Sequence, residues 1–233
     1  RAALAIDNAR LYSERDHVAR ALQASLLPPS LPDIPGVDVA ARYVAAGEGN
    51  EVGGDFYDVF QARRNSWCFA IGDVAGKGSP AALLMALLLA ELRTLVDEQM
   101  EPRALVARLN RQIWRHSPSS RFITLFYGVY TPSTGALTYV NAGQNPPLLR
   151  RADGTIERLG GTGIALGMFD ASTYESVDTF VGHGDLRRPK LVAASILRPP
   201  EVAERRDTRH PERDVGRPLP PGAAERVAHD HPD

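Results

Sequence analysis

Residues 50–78 read NEVGGDFYDVFQARRNSWCFAIGDVAGKG, and their pattern is the most informative in the chain about its fold. It contains two runs with the composition of β-strands, residues 55–61 and 67–74, which are joined by a short polar turn centred near Arg64. Two such runs with a short connection predict an antiparallel hairpin. The length of the turn also determines which residues of the two strands face each other.

Each strand of this hairpin carries an aspartate, Asp55 or Asp73, nine residues from the centre of the turn. Opposed residues of an antiparallel pair have Cβ atoms about 5 Å apart, and two carboxylates so placed repel unless a cation lies between them. No Lys or Arg occupies the intervening strand positions. A divalent metal is therefore the simplest compensation, and oxygen ligands alone favour Mg²⁺ or Mn²⁺. Strand-end carboxylates that cap nearby amides fit the same pattern, so the pair by itself leaves both interpretations open.

Glycines flank both aspartates, at Gly53-Gly54 and at Gly72. They remove side chains there, so that backbone or a ligand can approach closely. Asp58 has the opposite parity from Asp55, which predicts that it points to the other face of the sheet in a structural role. The loop 72–79 is not a Walker phosphate loop, because its glycine spacing is one residue short and a glycine follows the lysine.

Two helices are predicted after the hairpin. The first begins with Ser79 as N-cap and Pro80 at its first position, ends near Val96, and is apolar nearly all round, so it is expected to be buried. The second follows Pro102. Further strands are predicted at residues 37–43, 122–130, 136–141, 147–150 and 174–180. A strand block, two helices and a second strand block predict an α+β fold with helices packed on an antiparallel sheet.

Composition and charge exclude several classes of protein. The 233 residues are 43% hydrophobic and 24% charged with a net charge of −1, which is typical of a globular protein and indicates no charge-driven nucleic-acid partner. The single cysteine, Cys68, excludes a disulfide framework and is expected in the core. The longest apolar run, 81–90, has about half of the ~20 residues of a membrane helix. With no signal peptide evident at Arg1, we expect a cytoplasmic protein without membrane contact.

The chain divides into three parts. Residues 1–27 predict an amphipathic helix whose apolar stripe has no neighbour close in sequence, so we expect it to pair with a second copy in a homodimer. Residues 28–181 hold all the predicted strands. Residues 182–233 contain no aromatic residue and are rich in Arg and Pro, which predicts a mostly disordered tail.

In their order along the chain, several motifs resemble those of the SpoIIE/RsbU-type serine phosphatases, a bacterial branch of the metal-dependent PPM (type-two-C) family. The matching segments are LQASLLPPSLP (22–32), VGGDFYDVF (52–60), AIGDVAGKGSPAALLMA (70–86), FITLFYGVY (122–130), TYVNAGQNPPLLRR (138–151) and GTGIALGMFDASTYE (161–175). They cover about residues 22–181, and residues 1–12 also look like the last helix of a GAF sensor domain.

This resemblance implies an α/β/β/α sandwich of two antiparallel sheets flanked by helices. It implies that two Mn²⁺ or Mg²⁺ ions assist the reaction, that Asp55 bridges them, and that Asp73 and the carbonyl of Val74 complete part of one coordination shell. Asp55 and Asp73 are accordingly the predicted catalytic residues. The implied substrate is a phosphoserine or phosphothreonine on a STAS-domain anti-sigma-factor antagonist, in partner-switching control of transcription.

The sequence departs from the family pattern in two places. Gln144 stands where the family motif Asn-Ala-Gly-His has histidine. After the strand near Tyr174 the family has a Thr-Asp-Gly motif and a later aspartate, both metal ligands, and this chain has neither. The nearest carboxylate, Asp185, precedes the expected position, so a truncation or frameshift is predicted at residues 181–187. An alternative function is therefore a binding and dimerisation module on the same scaffold, without the third and fourth metal carboxylates.

Overall fold

The structure is a computed structural model, and it describes residues 21, 25–42, 54–62, 65–117 and 121–182. The predictions for the GAF-like segment, for Asp185 and for the tail beyond residue 182 fall outside these residues. Of the helix predicted over 1–27, the described residues Ala21, Ser25 and Leu26 are helical.

From Gly54 onward, the described residues form seven strands and two helices. In chain order these are β1 (Asp55–Gln61), β2 (Trp67–Val74), α1 (Ser79–Asp97), α2 (Pro102–His116), β3 (Ile123–Thr131), β4 (Ala136–Ala142), β5 (Leu148–Arg150), β6 (Ile156–Arg158) and β7 (Val177–Phe180). Five strands make one antiparallel sheet in the order β1-β2-β3-β4-β7, and β5 pairs with β6 in a separate two-stranded ribbon. The predicted α+β fold and the predicted hairpin are confirmed.

The two faces of the large sheet bury different sets of side chains, because successive strand residues alternate between faces. On the helix face, residues such as Cys68, Val74 and Tyr127 pack against α1 and α2 in the main core. On the opposite face, which we call the ribbon face, Trp67 and Phe126 belong to a second apolar cluster. The other buried members of that cluster are Ile34, Tyr130, Leu137, Tyr139, Leu149 and Leu159. The described residues thus build one sheet and one helix layer of the expected sandwich.

The N-cap of helix α1 lies one residue earlier than predicted. Gly78, with φ 75°, is its N-cap, and no side chain caps the helix, so the prediction of Ser79 as N-cap is wrong. Gly78 adopts the left-handed backbone that turns the chain from the loop after β2 into the helix. Its carbonyl oxygen accepts hydrogen bonds from the Ala81 and Ala82 amides at 3.1 and 3.2 Å.

The apolar face of α1 is broad but does not surround the helix. Nine of its residues are buried, whereas Leu83 is 62% exposed, so the prediction of burial nearly all round was too strong. By length and composition alone, α1 is apolar enough to cross a membrane, and it is the one helix of the described residues for which this holds. Half of that stretch is buried inside the protein, as in core helices of globular domains.

The strand predicted over 37–43 does not form in its described part. Val37 makes one isolated bridge with Ile34, and residues 38–42 belong to no strand. Val37 and Val39 instead pack, partly buried, against the ribbon-face cluster. Alternation alone predicts which side chains are buried, but a strand also needs a neighbouring edge to bond with.

Candidate active site

Asp55 and Asp73 are direct cross-strand partners, as the hairpin predicted. Asp55 is the first residue of β1, and Asp73 is the last but one of β2. By strand alternation both belong to the ribbon face, because Asp73 shares the parity of Trp67. Both side chains are partly buried. We call this edge of the sheet, where β1 begins and β2 ends, the aspartate end.

Two further strands bring residues to the aspartate end. Thr124, near the start of β3, is the cross-strand partner of Asp73, and its hydroxyl donates a hydrogen bond of 3.4 Å to the Asp73 carbonyl oxygen. Strand β4 ends there at Ala142, the partner of Leu125. The topology therefore gathers two carboxylates, a hydroxyl and the turn after β4 at one edge of the sheet.

Gly54 determines how closely the two aspartate-bearing strands approach. The Val74 amide donates a hydrogen bond of 3.0 Å to the Gly54 carbonyl oxygen, which extends the β1–β2 ladder by one residue. A Cβ added at Gly54 would lie 2.1 Å from the Val74 carbonyl oxygen and 2.8 Å from Asp73 Oδ1. No real Cβ fits at these distances, so only glycine leaves room beside the two predicted metal ligands.

At Gly72 it is backbone, the first of the two predicted alternatives, that approaches closely. A Cβ there would lie 2.3 Å from the Thr124 carbonyl oxygen and 2.5 Å from the Phe56 ring. The close approach at Gly72 is thus between protein groups on the helix face, and it leaves no room for a ligand.

The donor set at the aspartate end suits a hard divalent cation. Asp55, Asp73 and the Val74 carbonyl offer oxygen only, and Mg²⁺ is commonly held by one or two carboxylates together with waters and substrate phosphate. Among the residues that the structure describes, no three His, Cys, Asp or Glu side chains gather as a metal-binding group. The residues present fit such an ion and leave part of its coordination to other oxygens.

Asp58 lies on the opposite face, as its parity predicts, and has a structural partner. It is 2% exposed, and Arg93 of α1 donates two hydrogen bonds to its carboxylate, from Nε at 3.0 Å and from Nη2 at 2.9 Å. The guanidinium also lies 4.7 Å from the centre of the Phe60 ring. Burial raises the pKa of Asp58, and the charge of Arg93 opposes that rise. This pair ties β1 to α1 and takes no part in the candidate metal site.

Cys68 is fully buried on the helix face, where its Sγ lies 3.5 Å from the Tyr127 hydroxyl. Burial raises the pKa of this thiol to about 11, so it is not a thiolate at neutral pH. The prediction of a core cysteine is confirmed.

Gln144 lies in the turn that follows β4 at the aspartate end. The turn is organised by the fully buried Asn141, whose Oδ1 accepts a hydrogen bond of 2.9 Å from the Gln144 amide and whose Nδ2 donates to the Leu159 carbonyl oxygen at 3.2 Å. Gln144 Oε1 in turn accepts from the Asn145 amide at 2.8 Å. The side-chain Nε2 is buried and has no hydrogen-bond partner among the described residues. Sequence reasoning singled out Gln144 but missed Asn141, which holds it.

A family model described as stage II sporulation protein E (SpoIIE) matches residues 63–186, more than half of the chain. The phosphoserine phosphatase RsbU of Bacillus subtilis strain 168 is 31% identical over 170 residues, which cover 72% of this chain and 50% of RsbU. The protein IcfG of Synechocystis is 31% identical over 182 residues, which cover 66% of this chain and 28% of IcfG. The phosphoserine phosphatase RsbP of B. subtilis is 27% identical, over 72% of this chain and 42% of RsbP. The chain spans half or less of each of these relatives.

Two solved structures share the fold. The RsbU and RsbW domains of a Mycobacterium tuberculosis protein superpose with a TM-score of 0.51 at 28% identity, over 63% of this chain and 39% of theirs. The phosphatase domain of SpoIIE from B. subtilis, crystallised with a fragment of its regulatory domain, gives a TM-score of 0.50 at 16% identity, over 56% of this chain and 38% of that one. At that identity the second similarity bears on the fold alone.

Proposed function

Since the chain belongs to the SpoIIE family, we propose that it is a protein serine phosphatase domain that acts with divalent metal ions. The observation that carries this proposal is the pairing of Asp55 with Asp73 beside the Val74 carbonyl, where Gly54 lets the two strands approach closely. Two of the relatives, RsbU and RsbP, are phosphoserine phosphatases by name.

In this proposal Asp55, Asp73 and the Val74 carbonyl hold Mn²⁺ or Mg²⁺. Such ions supply the positive charge that stabilises a transferring phosphoryl group and lowers the pKa of water. The chain's own carboxylates would otherwise repel a phosphate ester, so their part is to hold cations and not to contact the substrate directly. The Thr124 hydroxyl donates a hydrogen bond to the Asp73 carbonyl oxygen, and Gly54 has no side chain that would separate the two aspartate-bearing strands.

The described residues favour direct hydrolysis over a covalent enzyme intermediate. Cys68 is buried on the helix face with a raised pKa, so it cannot serve as a nucleophile at the aspartate end. The oxygen donors at that end belong to carboxylates, a backbone carbonyl and Thr124, whose hydroxyl bonds to the Asp73 carbonyl. Because the proposal assigns both carboxylates to cation binding, neither attacks the phosphorus, and water is the nucleophile that the proposal requires.

The proposed substrate is a phosphoserine on a STAS-domain anti-sigma-factor antagonist, and the proposed location is the cytoplasm. The resemblance to the phosphoserine phosphatases RsbU and RsbP supports the phosphoserine part of this proposal. A homodimer through residues 1–27 belongs to the same proposal. In the structure, however, Leu26 and Leu27 pack, partly buried, against the main core of their own chain, so this end of the apolar stripe already has a partner.

The second candidate function is a binding module that holds a partner without turnover. It is favoured by the absence of a third acidic ligand beside Asp55 and Asp73 in the described part of the chain. Both candidates are tested by hydrolysis of a serine-phosphorylated STAS-domain protein with and without Mn²⁺. Turnover that EDTA abolishes supports the phosphatase. Binding of the phosphoprotein without any turnover supports the module.

A further inference from the structure

Five exposed apolar side chains belong to three segments near the aspartate end, namely the last turns of α2, the start of β3 and the loop 164–169, and the candidate site does not use them. We call this group the apolar patch. It consists of Trp114 (45% exposed), Phe122 (39%), Ile164 (42%), Met168 (43%) and Phe169 (61%). Exposed apolar groups that lie together mark interaction surfaces, whereas single ones need no explanation.

Backbone pairing brings the first members of the apolar patch together. Ile123 and Leu166 exchange both backbone hydrogen bonds, at 2.9 and 2.8 Å, as antiparallel partners do. Phe122 consequently lies opposite Gly167, and Met168 follows next along the loop. Ile164 precedes this bridge by two residues.

Helix α2 adds Trp114 to the same surface. Asn110, fully buried, donates hydrogen bonds of 2.9 and 3.0 Å to the carbonyl oxygens of Phe169 and Asp170. Its Oδ1 also accepts one of 2.8 Å from the Gly167 amide. Trp114 follows Asn110 by four residues and therefore lies on the same side of the helix, one turn along. The loop 167–170 and the last turns of α2 thus form one continuous surface.

The apolar patch borders the candidate site. Phe122 precedes Thr124 by two residues, about 7 Å along the strand, and Thr124 is the cross-strand partner of Asp73. The pairing of the two chain segments extends beyond Thr124 and Asp73, because the Ala75 amide donates a hydrogen bond of 2.8 Å to the Phe122 carbonyl oxygen. A macromolecule seated on the patch therefore reaches the residues around Asp73.

The charges around the patch favour an anionic partner. The last turn of α2, next to Trp114, carries Arg115 and His116, whereas Arg108 further back on the helix is ion-paired with Glu98. Lys77 is exposed in the loop after β2, and the Arg121 guanidinium packs against Gly76 of that loop. Asp170 is the one carboxylate in the loop 167–170. An apolar surface with a basic rim complements a protein that carries a phosphoryl group.

We propose that the apolar patch is the docking surface for the serine-phosphorylated protein substrate. This inference rests on the proposed function and adds to it the residues that distinguish a protein substrate from a small phosphate ester. Trp114 and Phe169 would supply the apolar anchors, and Arg115 in the last turn of α2 would attract the phosphorylated partner. The metal ligands would act on either kind of substrate.

The test compares Trp114→Ser and Phe169→Ser with the matched control Phe180→Ser. Phe180 is 64% exposed and pairs with Ala136, at the opposite end of the sheet. The probe is a serine-phosphorylated STAS-domain protein, whose Kd is measured by calorimetry in EDTA. Hydrolysis of p-nitrophenyl phosphate with Mn²⁺ is measured in parallel, and circular dichroism checks that each variant is folded.

We expect the Kd for the phosphoprotein to rise at least about tenfold in the two patch variants, the scale of a single anchor residue. Phe180→Ser should leave it within twofold, and p-nitrophenyl phosphate turnover should not change. Equal loss in Phe180→Ser, an unchanged Kd in the patch variants, or no binding by the parent chain overturns the proposal. So does a patch that instead binds anionic lipid vesicles, or a second copy of the chain by light scattering. If the phosphoprotein binds through the patch but no phosphate ester is hydrolysed, only the proposed function fails.

Discussion

Asp55 is the single residue on which the metal assignment depends most. Its carboxylate faces Asp73 across the sheet, and a neutral amide of the same shape removes one negative charge without changing the size of the side chain. The predicted effect therefore lies in metal binding and turnover and not in folding.

We predict that Asp55→Asn lowers Mn²⁺-dependent turnover by more than the roughly 10–100-fold that outer-shell substitutions cost. Phosphate release from a serine-phosphorylated STAS-domain protein measures it, and Asp33→Asn, at an exposed carboxylate, is the control. Undiminished turnover in Asp55→Asn would remove the basis of the metal assignment.

A substitution at Gly54 tests the same site through the space between the strands, whereas Asp55→Asn tests it through charge. In Gly54→Ala the new Cβ would meet the Val74 carbonyl oxygen at 2.1 Å, so the backbone of β1 or β2 must move. We expect at least about a tenfold weaker Mn²⁺ affinity by calorimetry, because the ligands shift with the backbone. Gly160→Ala, where an added Cβ meets nothing within 4 Å, is the matched control. If both variants bind Mn²⁺ as tightly as the parent, the close approach of the strands at Gly54 is not required by the site.

At the scale of elements, the Asp58–Arg93 pair connects the strand that carries Asp55 with helix α1. The two partners differ in environment, because Asp58 is 2% exposed and Arg93 is 54% exposed. Removing Arg93 leaves a buried, uncompensated carboxylate, whereas removing the charge of Asp58 leaves an arginine that water can solvate. The two substitutions should therefore have unequal effects on stability.

We predict that Arg93→Gln lowers the free energy of unfolding at pH 7 by on the order of 3 kcal/mol, and that Asp58→Asn costs less. Burial already raises the pKa of Asp58, and loss of Arg93 raises it further. A folded-state pKa above the unfolded value favours the protonated native state, so Arg93→Gln should recover stability as the pH falls through that raised pKa. Urea unfolding at pH 7 and pH 5 measures this. A loss that is the same at both pH values, or larger in Asp58→Asn, contradicts it.

The prediction for the whole molecule concerns what covers the apolar stripe of the predicted helix over residues 1–27. We predict a homodimer through residues 1–27, so that deletion of residues 1–20 or Leu22→Glu shifts the mass from two chains to one in light scattering. Leu83→Glu, on the exposed side of α1, is the control and should keep the parent mass. If both dimer variants keep it as well, the helix packs on its own domain, as Leu26 already does in part.

The β1–β2 hairpin, its register and the bounds of both its strands follow from the sequence alone. Strand alternation and a short turn are local properties, so they need no information from the rest of the chain. The same holds for the burial of Cys68 and for the face on which Asp58 lies. The predicted N-cap of α1 was one residue too late. The observed N-cap, Gly78, has a positive φ that depends on the path of the loop leading into the helix.

Contacts between residues far apart in sequence could not be predicted and are visible only in the folded chain. Arg93 contacts Asp58 across 35 positions, and Asn110 contacts the loop 167–170 across 57 to 60 positions. The predicted strand at 37–43 failed for the same reason, because its described residues find no strand edge to bond with. Hydrophobic alternation can be read from the sequence, whereas the position of a neighbouring strand or of a buried partner depends on how the whole chain packs.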